Sequence, residues 1–184
     1  GQAGVNLVSP PEMNLQTYIE NPLCHDSRDG KIIATAFGGV APYSYLWNTS
    51  SSESELANIG MGTYTLTISD AAGCSAVKSV TLEAPAPITV ETSTSEIKCN
   101  GDKDGKIQVE VTGGVEPYSY SIDGLARPST NNVFSNMTAG YYTVRVVDNN
   151  GCVAAKPTLL SQPDVLQVET LVENPFCRGS RTGS

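Results

Sequence analysis

A chain of 184 residues with 39% apolar and 16% charged side chains is too apolar and too weakly charged to remain disordered. Its net charge of −8, with no Lys/Arg cluster, excludes a phosphate-tracking nucleic-acid binder, and no apolar run reaches the roughly 18 residues of a membrane span. A single histidine leaves acid–base catalysis little to work with, while 17 glycines and 11 prolines predict many short elements joined by turns.

The chain is internally repetitive. Cys24 precedes Cys99 by 75 residues, and Cys99 precedes Cys177 by 78. Cys24-His25-Asp26-Ser27-Arg28-Asp29-Gly30-Lys31-Ile32 aligns with Cys99-Asn100-Gly101-Asp102-Lys103-Asp104-Gly105-Lys106-Ile107. Gly38-Gly39-Val40-Ala41-Pro42-Tyr43-Ser44-Tyr45 aligns with Gly113-Gly114-Val115-Glu116-Pro117-Tyr118-Ser119-Tyr120. Gly62-Thr63-Tyr64 then matches Gly140-Tyr141-Tyr142, and Asp70-Ala71-Ala72-Gly73-Cys74 matches Asp148-Asn149-Asn150-Gly151-Cys152. The three extra residues of the second copy fall between Ile122 and Phe134, which marks a surface loop.

In chain order, residues 1–10 end an earlier copy, since Leu7 and Pro10 fall where Leu82 and Pro85 do. Residues 11–85 form the first full unit and 86–163 the second. Residues 164–184 open a further one, Glu173-Asn174-Pro175-Phe176-Cys177 echoing Glu20–Cys24. The polar opening Gly1-Gln2-Ala3-Gly4 reads as a cut through a longer array.

Within each unit the apolar period is 2. Ile32, Ala34 and Ala36 alternate, as do Ile107, Val109 and Val111. Tyr43, Tyr45 and Trp47 share a strand face, matched by Tyr118, Tyr120 and Ile122. Tyr64, Leu66 and Ile68 match Tyr142, Val144 and Val146, and closing strands follow near 77–82 and 155–160. Leading strands are expected at 88–92 and 166–170. No 3.6-residue stripe stands out. The expected fold is therefore all-β: tandem Ig-like β-sandwich repeats of five to seven strands, with a tyrosine corner at Gly-x-Tyr and tight turns at Asp-x-x-Gly-Cys. Short junctions carrying Pro85 and Pro163 imply a rod-like array.

These motifs resemble the SprB repeat of Bacteroidota gliding-motility and other large surface adhesins. The resemblance implies an exported cell-surface protein, delivered by the type IX secretion route, whose partners are neighbouring repeats and either surface polysaccharide or the gliding and secretion machinery. With the charge balance, the apolar runs and the single histidine read above, no enzyme, no nucleic-acid partner and no membrane insertion are expected. The reading is a structural segment of an adhesin filament; the alternative is a carbohydrate- or protein-binding module, with its site in the loop at 48–55 or 123–133.

Other chemistry is weighed against plainer readings. His25-Asp26-Ser27 holds triad residue types, but adjacent residues cannot present triad geometry. Asp102 and Asp104, with Asp29 in the first copy, are calcium candidates, because alternating carboxylates supply hard oxygen ligands. Ser27 and Thr182 interrupt that pattern, so an Asp-Gly hairpin turn is the plainer reading and no cofactor is expected. The strand aromatics are expected in the core, leaving Tyr141 as the exposed one. Asn48-Thr49-Ser50 and Asn136-Met137-Thr138 match the N-glycosylation sequon. Export implies bridged cysteines. One pair per unit, Cys24–Cys74 and Cys99–Cys152, is expected, with Cys177 left over. The rival pairing is Cys74–Cys99 with Cys152–Cys177.

Overall fold

The computed structural model describes residues 11–123 and 128–172. The matches at 1–10, at Glu173–Cys177 and at Thr182, and part of the 123–133 loop, lie outside those residues. Twelve strands and no helix occur among the described residues. The first six are β1 (Asn14–Glu20), β2 (Gly30–Phe37), β3 (Ser44–Trp47), β4 (Glu55–Ile59), β5 (Gly62–Ser69) and β6 (Ser75–Leu82). The second six repeat them: β7 (Thr89–Thr94), β8 (Gly105–Thr112), β9 (Ser119–Ile122), β10 (Val133–Met137), β11 (Gly140–Val147) and β12 (Val153–Leu160).

Each set folds into two antiparallel three-stranded sheets. The first sandwich pairs β1-β2-β4 and β3-β5-β6; the second pairs β7-β8-β10 and β9-β11-β12. That is the Ig-like order, with the two sheets linked by strands that alternate between them. Period 2 in the sequence becomes inward and outward faces. Ile32, Leu66, Ile68 and Leu82 are fully buried in one core, and Ile107, Val109, Val144, Val146 and Leu160 in the other. Trp47 and Ile122, equivalent in sequence, are 2% and 3% exposed.

The tyrosine corners are present. Tyr64 Oη donates to Gly60 O at 3.0 Å and Tyr142 Oη to Thr138 O at 2.9 Å. Strands β4 and β10 have no counterpart in the sequence reading. Each pairs with its neighbour through a register shift. Asn58 and Asn136 sit within β4 and β10 at φ 56° and 60°. A bulge residue in the left-handed region breaks the two-residue period that would have revealed the strand.

The Asp-Gly hairpin turn is corrected. Gly30 and Gly105 are not turn residues; they begin β2 and β8 and are buried. A Cβ on Gly30 would lie 2.7 Å from Ile59 O and 2.7 Å from Leu82 Cδ2, and one on Gly105 would meet Leu160 Cδ2 at 2.6 Å. The glycine is there for close approach, not for a positive φ. The turns lie upstream, closed by Ser27 N–H to Cys24 O and Asp102 N–H to Cys99 O, both at 3.2 Å.

The strand expected at 166–170 is not formed; Leu166 and Val168 are exposed. In both sandwiches the leading strand is held by the strand that begins at the Asp-Gly glycine, Gly30 or Gly105. The corresponding position in the third copy is residue 183, so 166–170 have no such partner among the described residues, and an unpaired strand is not stable by itself.

Candidate functional site

The sandwich order decides which turns share an end. In the first sandwich β3 pairs with β5 so that Ser44 faces Ser69, which places the β2–β3 and β5–β6 turns together at one end, here called upper. The β1–β2 loop, carrying Cys24, lies at the lower end, where β6 finishes at Leu82 opposite Gly62. The chain leaves that lower end and enters the upper end of the second sandwich. Cys24 therefore meets not Cys74 but Cys152, the turn cysteine of the next unit.

A disulfide joins Cys24 to Cys152, with Cα atoms 5.6 Å apart. This corrects the expected Cys24–Cys74 and Cys99–Cys152 pairs: each would have to run the length of a sandwich from lower to upper end. Cys74 and Cys99 carry free, exposed thiols. The rival Cys74–Cys99 pair is absent for the same reason, those residues lying at opposite far ends of the two-sandwich unit.

The bridge lies within a built joint. Asn150 Nδ2, in the β11–β12 turn, donates to Leu23 O across it at 2.9 Å. The junction peptide is held from both sides. His25 Nδ1 lies 3.2 Å from Pro85 O, and since a carbonyl only accepts, Nδ1 carries the proton. Gly114 N–H donates to Ala86 O at 2.8 Å, and Glu83 N–H to Asn21 Oδ1 at 3.1 Å. Two sandwiches are thus tied by one covalent bond and by hydrogen bonds that fix the peptide between them.

The turn that presents each upper cysteine is organised by one carboxylate. Asp70 Oδ1 accepts from Ala72 and Cys74 N–H at 2.9 and 2.8 Å, and Oδ2 from Val40 N–H at 3.0 Å. Asp148 repeats this with Asn150, Cys152 and Val115 at 2.9, 2.8 and 2.9 Å. Gly73 and Gly151 follow at φ 84°, as the Asp-x-x-Gly-Cys motif predicts. The Val40 N–H foremost, with the turn amides, holds the Asp70 carboxyl below the usual carboxylate range.

Of the residues singled out in the sequence, few gather. His25, Asp26 and Ser27 diverge: Ser27 Oγ accepts from Cys24 N–H and donates to Asp29, not to the imidazole. Asp29 also accepts Leu23 N–H at 3.2 Å, and the Ser27 bond foremost keeps its carboxyl below the ordinary range. Asp102 and Asp104 are exposed. Among the described residues no three His, Cys, Asp or Glu side chains are grouped as metal ligands.

The aromatics serve the scaffold. Tyr43 and Tyr118 donate to Gly38 O and Gly113 O at 2.5 and 2.6 Å, closing the Gly-Gly loops. Trp47 Nε1 donates to Glu53 O at 2.8 Å. Burial pushes the Tyr120 phenol up. Tyr141 is 84% exposed, as expected. Both sequon asparagines have structural roles: Asn48 bonds Thr63 O and Thr65 N–H, and Asn136 is the β10 bulge.

A tandem pair of Ig-like sandwiches, covalently joined end to end, is the class of protein that this arrangement defines. The family model described as SprB repeat matches twice, at residues 17–52 and 91–126, once in each sandwich. Each sandwich thus contains a segment that matches the SprB repeat. No curated protein matches it. Among solved structures it is similar to the N-terminal four Ig domains of Dscam1 isoform 9.44, at 15% identity and TM-score 0.38, over 85% of this chain and 47% of that one. It is also similar to the insect immune protein hemolin, at 17% identity and TM-score 0.37, over 86% and 49%. A third is a C-terminal fragment of intimin, at 10% identity and TM-score 0.41, over 83% and 64%. The chain thus spans about half the length of the Dscam1 and hemolin structures.

Proposed function

We propose that this chain is a length-giving, load-bearing segment of a cell-surface adhesin filament, exported to an oxidising exterior and serving gliding motility. The observation that carries the reading is the bridge between repeats. A pull entering at β1 reaches Cys24, crosses to Cys152 and leaves through β12. Residues 25–151 lie off that covalent path. A recognition module has no use for such a bypass; a tether under tension does. The SprB match supports the surface setting, and the disulfide supports an oxidising compartment.

Force spectroscopy tests the mechanical role. With the bridge intact, stretching between the ends should release only residues outside the bridged span. Reduction should add the hidden 127 residues, about 400 Å of chain at 3.3 Å each. Equal contour lengths in both states would refute the load-bearing role. In a gliding strain, deleting these two repeats should leave surface binding largely intact. Complete loss of binding would make them the recognition element.

A further inference from the structure

Among the described residues two thiols remain unaccounted for, and each lies at the end of the unit where half of a joint is already built. At the lower end of the second sandwich Cys99, Asn100 and Pro163 line an open cleft. They stand at the positions that Cys24, His25 and Pro85 hold in the closed joint. The local bond is also repeated: Asn100 Nδ2 donates to Pro163 O at 2.9 Å where His25 meets Pro85 O.

The upper end of the first sandwich has the complementary form. Met13, Gly39 and Cys74 line a cleft there. They match Ile88, Gly114 and Cys152, which form the upper side of the joint. Gly39 N–H donates to Pro11 O at 2.8 Å, as Gly114 does to Ala86 O. One difference separates the two upper faces: Ala72 stands where Asn150 reaches across, so this joint lacks one hydrogen bond.

We propose that Cys99 and Cys74 are the two halves of a further joint of the same kind, each taking the complementary end of another SprB repeat. The rule is that the lower cysteine of one repeat bonds the turn cysteine of the repeat that follows it. Every repeat is then bound to both neighbours, with one bridge at each junction and no repeat closed on itself. The contact is head-to-tail, which extends without limit instead of closing into a pair. Closure removes one proton and one electron from each thiol. A small disulfide oxidant such as oxidised glutathione accepts both electrons and is released as two thiols. The inference rests on the Cys24–Cys152 joint and not on the adhesin role.

The test is a chain in which residues 11–163 are duplicated in tandem, so that Pro163 is followed directly by Pro11. That junction keeps the repeat period, because Pro11 occupies the place of Ala86 after Pro85. The chain is oxidised with glutathione, labelled with a maleimide under native conditions and mapped by peptide mass. Cys24–Cys152 in each half reports folding. The expected result is a new Cys99–Cys74 peptide across the added junction, with loss of label at those two positions only. A Cys99→Ser change in the first half should restore label at Cys74 of the second. Cys99 of the first half and Cys74 of the second still labelled beside intact Cys24–Cys152 bridges would overturn the proposal while leaving the load-bearing reading standing. Bonding of Cys99 to any other cysteine, or absence of the Cys24–Cys152 bridges, would overturn it as well.

Discussion

Trp47 fills in the first sandwich the place that Ile122 fills in the second, and the loop behind each is built to suit. Beside Trp47 the chain returns quickly: Trp47 N–H donates to Ser51 O at 2.9 Å, and Glu53 O takes the indole N–H. Beside Ile122 the loop is three residues longer and closes two residues earlier, through the Tyr120–Ser129 bridge at 2.7 and 2.8 Å. By contrast Asp70 and Asp148, Tyr64 and Tyr142, and Gly30 and Gly105 hold the same contacts in both copies. The positions shared by the two copies hold turns, corners and close approaches, while the swap of Trp47 for Ile122 is a core exchange matched by a change in the adjoining loop.

The largest expected effect comes from the joint, which treats the two sandwiches alike. With one sandwich folded, the bridge closes a loop of roughly 60 residues in the other, worth about 4 kcal/mol on the chain-entropy estimate. Cys24→Ser should therefore lower the unfolding midpoint of both sandwiches in denaturant titration. A drop confined to the first would show that the bridge does not couple them.

Trp47→Ile asks whether the side-chain swap is free once its loop stays behind. It should cost about 2–3 kcal/mol, from the lost volume and from Glu53 O left without its donor. Chemical denaturation of the first sandwich measures this, and a change near zero would mean that the short loop had not co-adapted.

Acid should loosen the upper turn of the first sandwich. The folded carboxyl of Asp70 titrates below its unfolded value, so its stabilisation is complete above the ordinary carboxylate range and fades as pH falls through the folded value, below about pH 4. Asp70→Asn should flatten that part of the melting-temperature profile. An unchanged profile would deny the carboxylate its part in the turn.

The smallest expected effect is none. Ser27 replaces Asp102 between the copies, so calcium should shift neither melting temperature by more than a degree or two. A larger shift would restore Asp29, Asp102 and Asp104 as ligands.

Much of the fold was legible because it is local. Alternation gave the inward faces of β2, β5, β8 and β11, and Gly-x-Tyr and Asp-x-x-Gly-Cys announced corner and turn. Strands β4 and β10 were hidden by Asn58 and Asn136, whose left-handed backbone shifts the alternation midway. The role of Gly30 could not be read from Asp-Gly, since a glycine needed for a neighbour's approach looks identical to one needed for a turn. The cysteine pairing failed for a topological reason. Treating each unit as closed made 24 and 74 partners, whereas sheet order sets them at opposite ends. The signal was available: a chain that leaves by the end holding one unit's first loop enters the next beside its last turn.

The covalent bond lies between repeats and not within them. Non-reducing peptide mapping of the oxidised chain, after alkylation of free thiols, tests it directly. A disulfide-linked peptide joining Cys24 to Cys152 is expected, with Cys74 and Cys99 recovered alkylated. Recovery of Cys24–Cys74 together with Cys99–Cys152 would contradict it.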